Sequence, residues 1–343
     1  MSTRPRQQKA PQQESAKPRT SRARPVKTRS RARPPRGEEL RIAILSRKRS
    51  LYTTRRLVEA IKAFGHVPVV LDTLRCDLML EKGRPRIFFG RERVEGIGVV
   101  IPRIGASITS YGLAVVNQFD MMGVPVLNNS VPIARSRDKL RCLQLLARFG
   151  CDIPRTVMMR DRNDLDQAVE QIGGLPVIVK LLQGTQGVGV MLAHSLKELQ
   201  SILDTMWNLD QEILLQEFIA ESRGRDVRAL VVGDRVVGAM RRVARVQGEF
   251  RSNIHRGGEG EAVELPRAYA EEAIRAARVI GLEVAGVDML ESSSGPKITE
   301  INSSPGIEGL ERATGIDVAG AMVAHAVEFA RARASGWTRQ RQI

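Results

Sequence analysis

An apolar run that ends in a single lysine, L-P-V-I-V-K over residues 175–180, leads into L-L-Q-G-T-Q-G-V-G-V over 181–190. A charge closing a buried strand is costly unless an anion waits at the strand end. Gly184, Gly187 and Gly189 let backbone N–H groups approach that anion with no Cβ in the way. Lys180 and the glycine turn together suit a triphosphate held under a flap. The turn lacks the G-K-[ST] ending of the phosphate loop that precedes a helix. An ordinary hairpin with a turn lysine would read the same from this segment alone.

A second constellation lies near the C-terminus, where G-V-D-M-L (286–290) and I-T-E-I-N (298–302) flank the turn-rich E-S-S-S-G-P-K. This reads as two short strands joined by a turn. Glu300 and Asn302 are two apart on one strand and share a face. A facing strand brings Asp288 to that face. Two carboxylates and an amide oxygen form a hard, all-oxygen set suited to magnesium carrying nucleotide phosphates. A solvated strand face is the plainer reading. The apolar Val287, Leu290, Ile298 and Ile301 weigh against it, because they imply buried strands where unpaired carboxylates are costly.

These residues need a scaffold to bring them together. R-I-A-I-L (41–45) and V-P-V-V-L (67–71) read as strands around a helix over about 52–64. Residues 98–102 and 124–128 repeat the theme, with a helix before the second strand. Such alternation predicts a small parallel α/β domain. A helix over about 132–149, ended by Gly150, leads out of it; further helices are expected over about 161–172 and 196–207. Gly233-Asp234 between two apolar strands is a hairpin signal. The expected organisation is a disordered basic arm (1–38), an α/β domain (39–130), a central subdomain with the glycine loop (131–219), a C-terminal subdomain with the metal set (220–332) and a tail (333–343).

Taken together, Lys180, the loop 184–189, Glu217 after I-L-L-Q, and the Asp288/Glu300/Asn302 set resemble the ATP-grasp superfamily. Within it, I-P-R-I-G-A-S-I-T-S-Y-G (101–112), A-R-S-R-D-K-L (134–140), F-R-S-N-I-H-R-G-G (250–258) and E-I-N-S-S-P-G-I-E-G-L-E (300–311) are similar to the RimK family of amino-acid ligases. The resemblance runs from about residue 40 to about 330, with the motifs in the family's order. It implies an ATP-grasp fold, in which a small parallel α/β domain precedes two α+β subdomains that clasp ATP. It also implies ATP contacts from Lys139, Lys180, Gly184, Thr185, Gly187, Gly189, Glu217, Phe218, Asp226, Arg251, Ser252 and Asn253, and two Mg2+ or Mn2+ ions on Asp288, Glu300 and Asn302. Glu217 and Phe218 would offer backbone groups to the adenine edge, and Asp226 would meet the ribose. One of Arg241, Arg242 and Arg245 would meet the transferred phosphoryl group; Arg242 is the candidate, and no catalytic nucleophile is assigned. His255 invites a general-base role, but a lone histidine is more often a hydrogen-bonding partner.

The chemistry implied is carboxylate–amine ligation. Phosphorylation turns a poor electrophile into an acyl phosphate, and an amine displaces phosphate to give an amide. The protein's task is to position and neutralise charge. The resemblance points to L-glutamate as the amine, the C-terminus of ribosomal protein S six as the acceptor, and a homo-oligomer. A family member that ligates an amino acid to a small cofactor or carrier protein is the nearest alternative. An RNA- or ribosome-binding protein in which ATP only regulates is another.

Composition agrees with a cytoplasmic enzyme carrying an appendage. The chain of 343 residues is long enough for two or three domains. Its three cysteines, Cys76, Cys142 and Cys151, have no metal or redox spacing, as expected in a reducing compartment. No apolar run is long enough to span a membrane and no signal-peptide core precedes the first strand, so no membrane partner is expected. Residues 1–37 hold twelve Lys/Arg against one Glu, which is +11 of the total +16. This arm is too poor in apolar residues to fold, and it is a candidate contact for ribosome or RNA. A purely solubilising tail has the same composition.

Overall fold

The computed structural model describes residues 39–182, 189–244 and 259–335. The basic arm, most of the glycine loop and the F-R-S-N segment lie outside these described residues. The first part holds β1 (Arg41–Leu45), α1 (Tyr52–Ala63), β2 (Val67–Leu71), β3 (Cys76–Met79), β4 (Arg86–Phe89), β5 (Glu92–Arg93), β6 (Val99–Pro102) and α2 (Thr109–Met121). Strands β2, β1 and β6 form a parallel sheet in that order, as the alternation predicts. Four of the five residues of β1 are buried, so both its faces are covered and it reads as an unbroken apolar run. Helix α1 buries Thr54, Leu57, Val58 and Ile61 along one stripe. Two features differ from expectation. Strands β3, β4 and β5 form a small antiparallel sheet with no strong pattern in the sequence. Residues 124–128 do not make a strand; the chain meets β6 only at the Val100–Val126 bridge. It turns away there because Asn128 is held elsewhere.

Asn128 is buried and uses its whole amide. Its Nδ2 donates to the carbonyls of Val284 (2.7 Å) and Ser303 (3.0 Å). Its Oδ1 accepts from the amides of Glu283 (2.6 Å) and Val284 (2.9 Å). One side chain thus locks the first part to the last.

The predicted single helix over 132–149 is two, α3 (Ser130–Arg137) and α4 (Lys139–Arg148). Asp138 breaks the run with extended backbone, and its carboxylate accepts from the Arg141 amide to cap α4. The middle part follows with β7 (Thr156–Met158), α5 (Leu165–Gln171), β8 (Val177–Leu181), β9 (Val190–Ala193), α6 (Leu196–Asn208) and β10 (Ile213–Glu217). Its antiparallel sheet runs β7-β10-β8-β9. The last part has β11 (Arg225–Val232), β12 (Arg235–Val243), β13 (Glu259–Ala262), α7 (Arg267–Ile280), β14 (Val284–Ser292), β15 (Gly295–Asn302), α8 (Glu308–Thr314) and α9 (Val318–Ala334). Its antiparallel sheet runs β13-β12-β11-β14-β15, and the β11–β12 hairpin turns at Gly233-Asp234 as predicted.

The cores are unequally shared. One cluster joins Ile42, Ile44, Leu57, Ile61 and Ile101 of the first part to Leu230, Val284, Leu310, Met322 and Val323 of the last. Another places Cys142 and Leu146 of α4 against Ala276, Ile280 and Val287. A separate cluster, from Leu165 to Leu215, belongs to the middle part alone. Polar ties repeat the pattern: Arg56 Nε and Tyr52 Oη each donate to Glu311 Oε2 at 2.9 Å, joining α1 to α8.

Candidate active site

The β14–β15 hairpin sets Asp288 directly opposite Glu300 and Gly286 opposite Asn302, with the register shifting between Asp288 and Met289 so that the facing strand brings Asp288 beside Glu300. Gly286 is needed there, since a Cβ would come within 2.8 Å of Pro305. Asp288 is buried and gripped from two sides. Arg228 makes a two-pronged pair with it (Nε–Oδ1 2.6 Å, Nη2–Oδ2 2.6 Å). Arg242 reaches Oδ2 at 2.9 Å. The Arg242 Nε also donates to Asp226 Oδ1 at 2.6 Å, and its Nη2 pairs with the second Asp226 oxygen. Burial pushes the Asp288 carboxyl up, but the two guanidiniums outweigh it and hold the group below the usual carboxylate range. Asp226 is therefore engaged in the arginine chain, not free as a lone strand-start carboxylate.

Glu300 behaves oppositely. It opens onto the cleft and makes no hydrogen bond or ion pair among the described residues. The surrounding protein pushes its carboxyl above the ordinary range, and the Asp288 charge pushes the same way against Arg228, Lys180 and Lys139. Across the cleft, Lys180 is the next-to-last residue of β8. Burial pulls its ammonium down from 10.5 to about 8, partly offset by Glu300 and reinforced by Lys139. Lys139, the first residue of α4, does not line the cleft; its Nζ donates to the Leu181 carbonyl at 2.8 Å, behind the lysine strand. Gly189 has φ +77° and accepts from the Leu181 amide at 2.9 Å. A Cβ there would meet the Leu181 side chain at 2.6 Å, so this glycine is required by the hairpin itself.

One cleft of about 1070 Å3 collects Lys180, Glu217, Phe218, Asp226, Arg242, Asp288, Glu300 and Asn302. Glu217 is tied at the end of β10: its amide donates to the Arg155 carbonyl, and its carboxylate takes the Arg155 amide and guanidinium. Gly184, Thr185, Gly187, Arg245, Arg251, Ser252, Asn253 and His255 lie outside the described residues. Sequence reasoning missed Arg228. Its signal was parity, since it stands two residues after Asp226 on β11 and so shares its face. It also assigned no role to Arg103, Arg137 and Asn128.

The donor set fits a hard divalent cation. Glu300 and Asn302 line the cleft, and the Asp288 charge raises the cost of ionising Glu300, which a divalent cation would relieve. Among the described residues no three His, Cys, Asp or Glu side chains gather at one metal position.

Residues 136–326 match the family model described as the RimK-like ATP-grasp domain, and residues 40–133 match the RimK pre-ATP-grasp domain. The chain belongs to the RimK-like ATP-grasp family. As such it is an ATP-dependent ligase. It is 53% identical to a probable alpha-L-glutamate ligase of Rhodopirellula baltica over 284 residues, covering 83% of this chain and 70% of that protein. It is 51% identical to another protein of that name from Thioalkalivibrio sulfidiphilus, covering 85% of this chain and 97% of that one. The ATP-grasp ligase PsnB, solved with a phosphomimetic variant of its minimal precursor, Mg and ADP, shares the fold at a TM-score of 0.65 and 22% identity, covering 85% of this chain and 99% of that one. Among the described residues of this RimK-like ligase, no helix is long and apolar enough to cross a membrane.

Proposed function

We propose that the protein joins the amine of L-glutamate to the C-terminal carboxylate of a protein acceptor, ribosomal protein S six, with ATP converted to ADP and phosphate. The observation that carries this reading is the cleft in which Lys180 faces Asp288, Glu300 and Asn302. Its support on the substrate side is the name shared by the curated relatives, together with the motif set of the family.

Lys180 holds triphosphate oxygens, and Lys139 backs the same strand end. Glu217 and Phe218 place backbone groups at the adenine edge. Asp226 fixes Arg242, and Arg242 with Arg228 fixes Asp288, so the acidic face is rigid before substrate arrives. Asp288, Glu300 and Asn302 would hold Mg2+ or Mn2+, which supplies charge neutralisation for phosphoryl transfer. The acceptor carboxylate takes the γ-phosphoryl group, and the glutamate amine then displaces phosphate. A closed cleft excludes the water that would hydrolyse the acyl phosphate. The deciding experiment is incubation with ATP, magnesium, glutamate and candidate acceptor peptides, then mass measurement of the acceptors. A gain of glutamyl units is expected; ATP turnover with no glutamyl product would overturn the reading.

Lys180→Ala is expected to weaken ATP binding by roughly 1.5–3 kcal/mol, the loss of a charge-assisted contact, with little change in thermal midpoint. Calorimetry showing wild-type affinity would remove Lys180 from the phosphate site. The same lysine makes binding pH-dependent. Below about 8 it is already protonated in the free enzyme. As pH rises above that value, binding must take up a proton, so affinity declines. Titrations at pH 8.5 in two buffers of different ionisation heat should differ in apparent enthalpy; equal enthalpies would contradict this.

The basic arm completes the proposal as an electrostatic contact to ribosome or RNA. Deleting residues 1–37 should leave ligation to a short peptide nearly unchanged and weaken sedimentation with ribosomal subunits, the difference shrinking as salt rises. Equal binding by both forms at low salt would reduce the arm to a solubilising extension.

A further inference from the structure

Two arginines of the cleft have no task in the scheme above. Arg103 follows β6 and Arg137 ends α3; both are partly buried and line the cleft. Arg103 donates through Nη2 to the carbonyls of Ser304 (3.1 Å) and Pro305 (2.6 Å). Arg137 donates through Nη2 to the Ile104 carbonyl at 2.5 Å. Each thus commits one nitrogen to backbone, and neither pairs with a carboxylate among the described residues. Of the other arginines lining the cleft, Arg228 pairs with Asp288, Arg242 with Asp226 and Asp288, and Arg312 with Glu308, while Arg223 and Arg225, which have no carboxylate pair among the described residues, are exposed to water.

The pair is also crowded. Burial, and after it the Arg137 charge, lower the Arg103 guanidinium to about 10. Arg137 Nε, and Oγ of the Ser304 that Arg103 touches, are buried with no hydrogen-bond partner among the described residues. The Glu300 charge offsets part of the burial cost at Arg137, but two guanidiniums walled by protein with no carboxylate in contact are costly unless an anion joins them. A guanidinium fork matches a carboxylate in two-pronged fashion.

We infer that Arg103 and Arg137 form the subsite that holds a carboxylate of the incoming amino acid and selects an acidic one. This rests on the proposed glutamate ligation. The acceptor carboxylate reacts at the Lys180–Glu300 end and leaves as an amide, so it needs no standing cation. The incoming glutamate keeps both carboxylates through the reaction and does need one. The arginines lie at the seam between the first and last parts, beside the 304–305 turn that follows Asn302, within reach of the reacting end.

The test uses the full chain. Arg137→Gln should raise the glutamate KM by about ten- to a hundredfold, the loss expected for a hydrogen-bonded ion contact. It should also narrow the preference for glutamate over glutamine, while calorimetric ATP affinity stays within about twofold. Arg137→Lys keeps the charge but not the fork and should fall between the two. An unchanged glutamate KM overturns the inference. So does a parallel loss of ATP affinity, which would make the pair a phosphate site, or a rise in acceptor KM alone. Should the substitutions prevent folding, the wild-type protein answers the same question: glutamate, and not glutamine, should slow phenylglyoxal modification of both arginines in peptide maps, and no protection overturns it. A wild-type enzyme that ligates aspartate in place of glutamate sinks the proposed substrate but leaves the subsite standing. One that ligates only neutral or basic amino acids sinks both.

Discussion

Glu300→Gln should reduce ligation by at least about a hundredfold while the thermal midpoint barely moves, the scale seen when one charge-stabilising group is removed from a preorganised site. Two observations separate these effects. Glu300 has no hydrogen bond or ion pair among the described residues, so no partner is orphaned by its loss. Its carboxyl is pushed above the ordinary range by the surrounding protein and by Asp288, so the fold carries its negative charge at a cost. A raised carboxyl makes its ionised form a destabilising element above the ordinary pKa, and the neutral amide relieves it. What disappears is the second negative charge facing Lys180. Ligation measured across a magnesium series is the check, and a wild-type rate at limiting magnesium would remove Glu300 from the metal set.

Asn128→Ala should cost on the order of 4 kcal/mol and couple the loss to the whole molecule. The substitution strands two carbonyls and two amides, from Glu283, Val284 and Ser303, in a place closed to water. Each buried, unpaired backbone group costs about 1–3 kcal/mol, and the four are not independent. Urea unfolding followed by tryptophan fluorescence and circular dichroism gives the number. A loss below about 1 kcal/mol would mean that water enters and replaces the amide.

The acidic hairpin was legible in part: parity fixes that Glu300 and Asn302 share a face, but the pairing that leaves the turn would set Asp288 opposite Thr299, and an irregularity of register between Asp288 and Met289, with no signal in the sequence, brings it opposite Glu300. The lysine strand was legible because an ammonium ending an apolar run has few innocent explanations. The parallel β2-β1-β6 sheet followed from alternation alone. The rest was hidden for physical reasons. Helices α3 and α4 follow one another with no Gly or Pro at their junction, and only the capping carboxylate of Asp138 separates them. Residues 124–128 have strand composition, but Asn128 answers to residues more than 150 positions away. Arg228 looks like any polar strand residue until its partner sixty positions on is known.

The segregated core of the middle part fixes which piece of the machine can swing. Because the first and last parts share one apolar cluster and the Asn128 and Glu311 ties, they act as a single anvil carrying the acidic face. The lysine sheet, with its own core, is the jaw. The chain enters that jaw through residues 149–155 and leaves it through 218–224. At the entrance Asp152 is pinned, its carboxylate to Lys297 (2.8 Å) and its carbonyl to the Ile298 amide (2.8 Å). This pin stands at the pivot, so opening and closing on nucleotide would rotate the lysine about it while leaving the acidic hairpin and its arginines at rest.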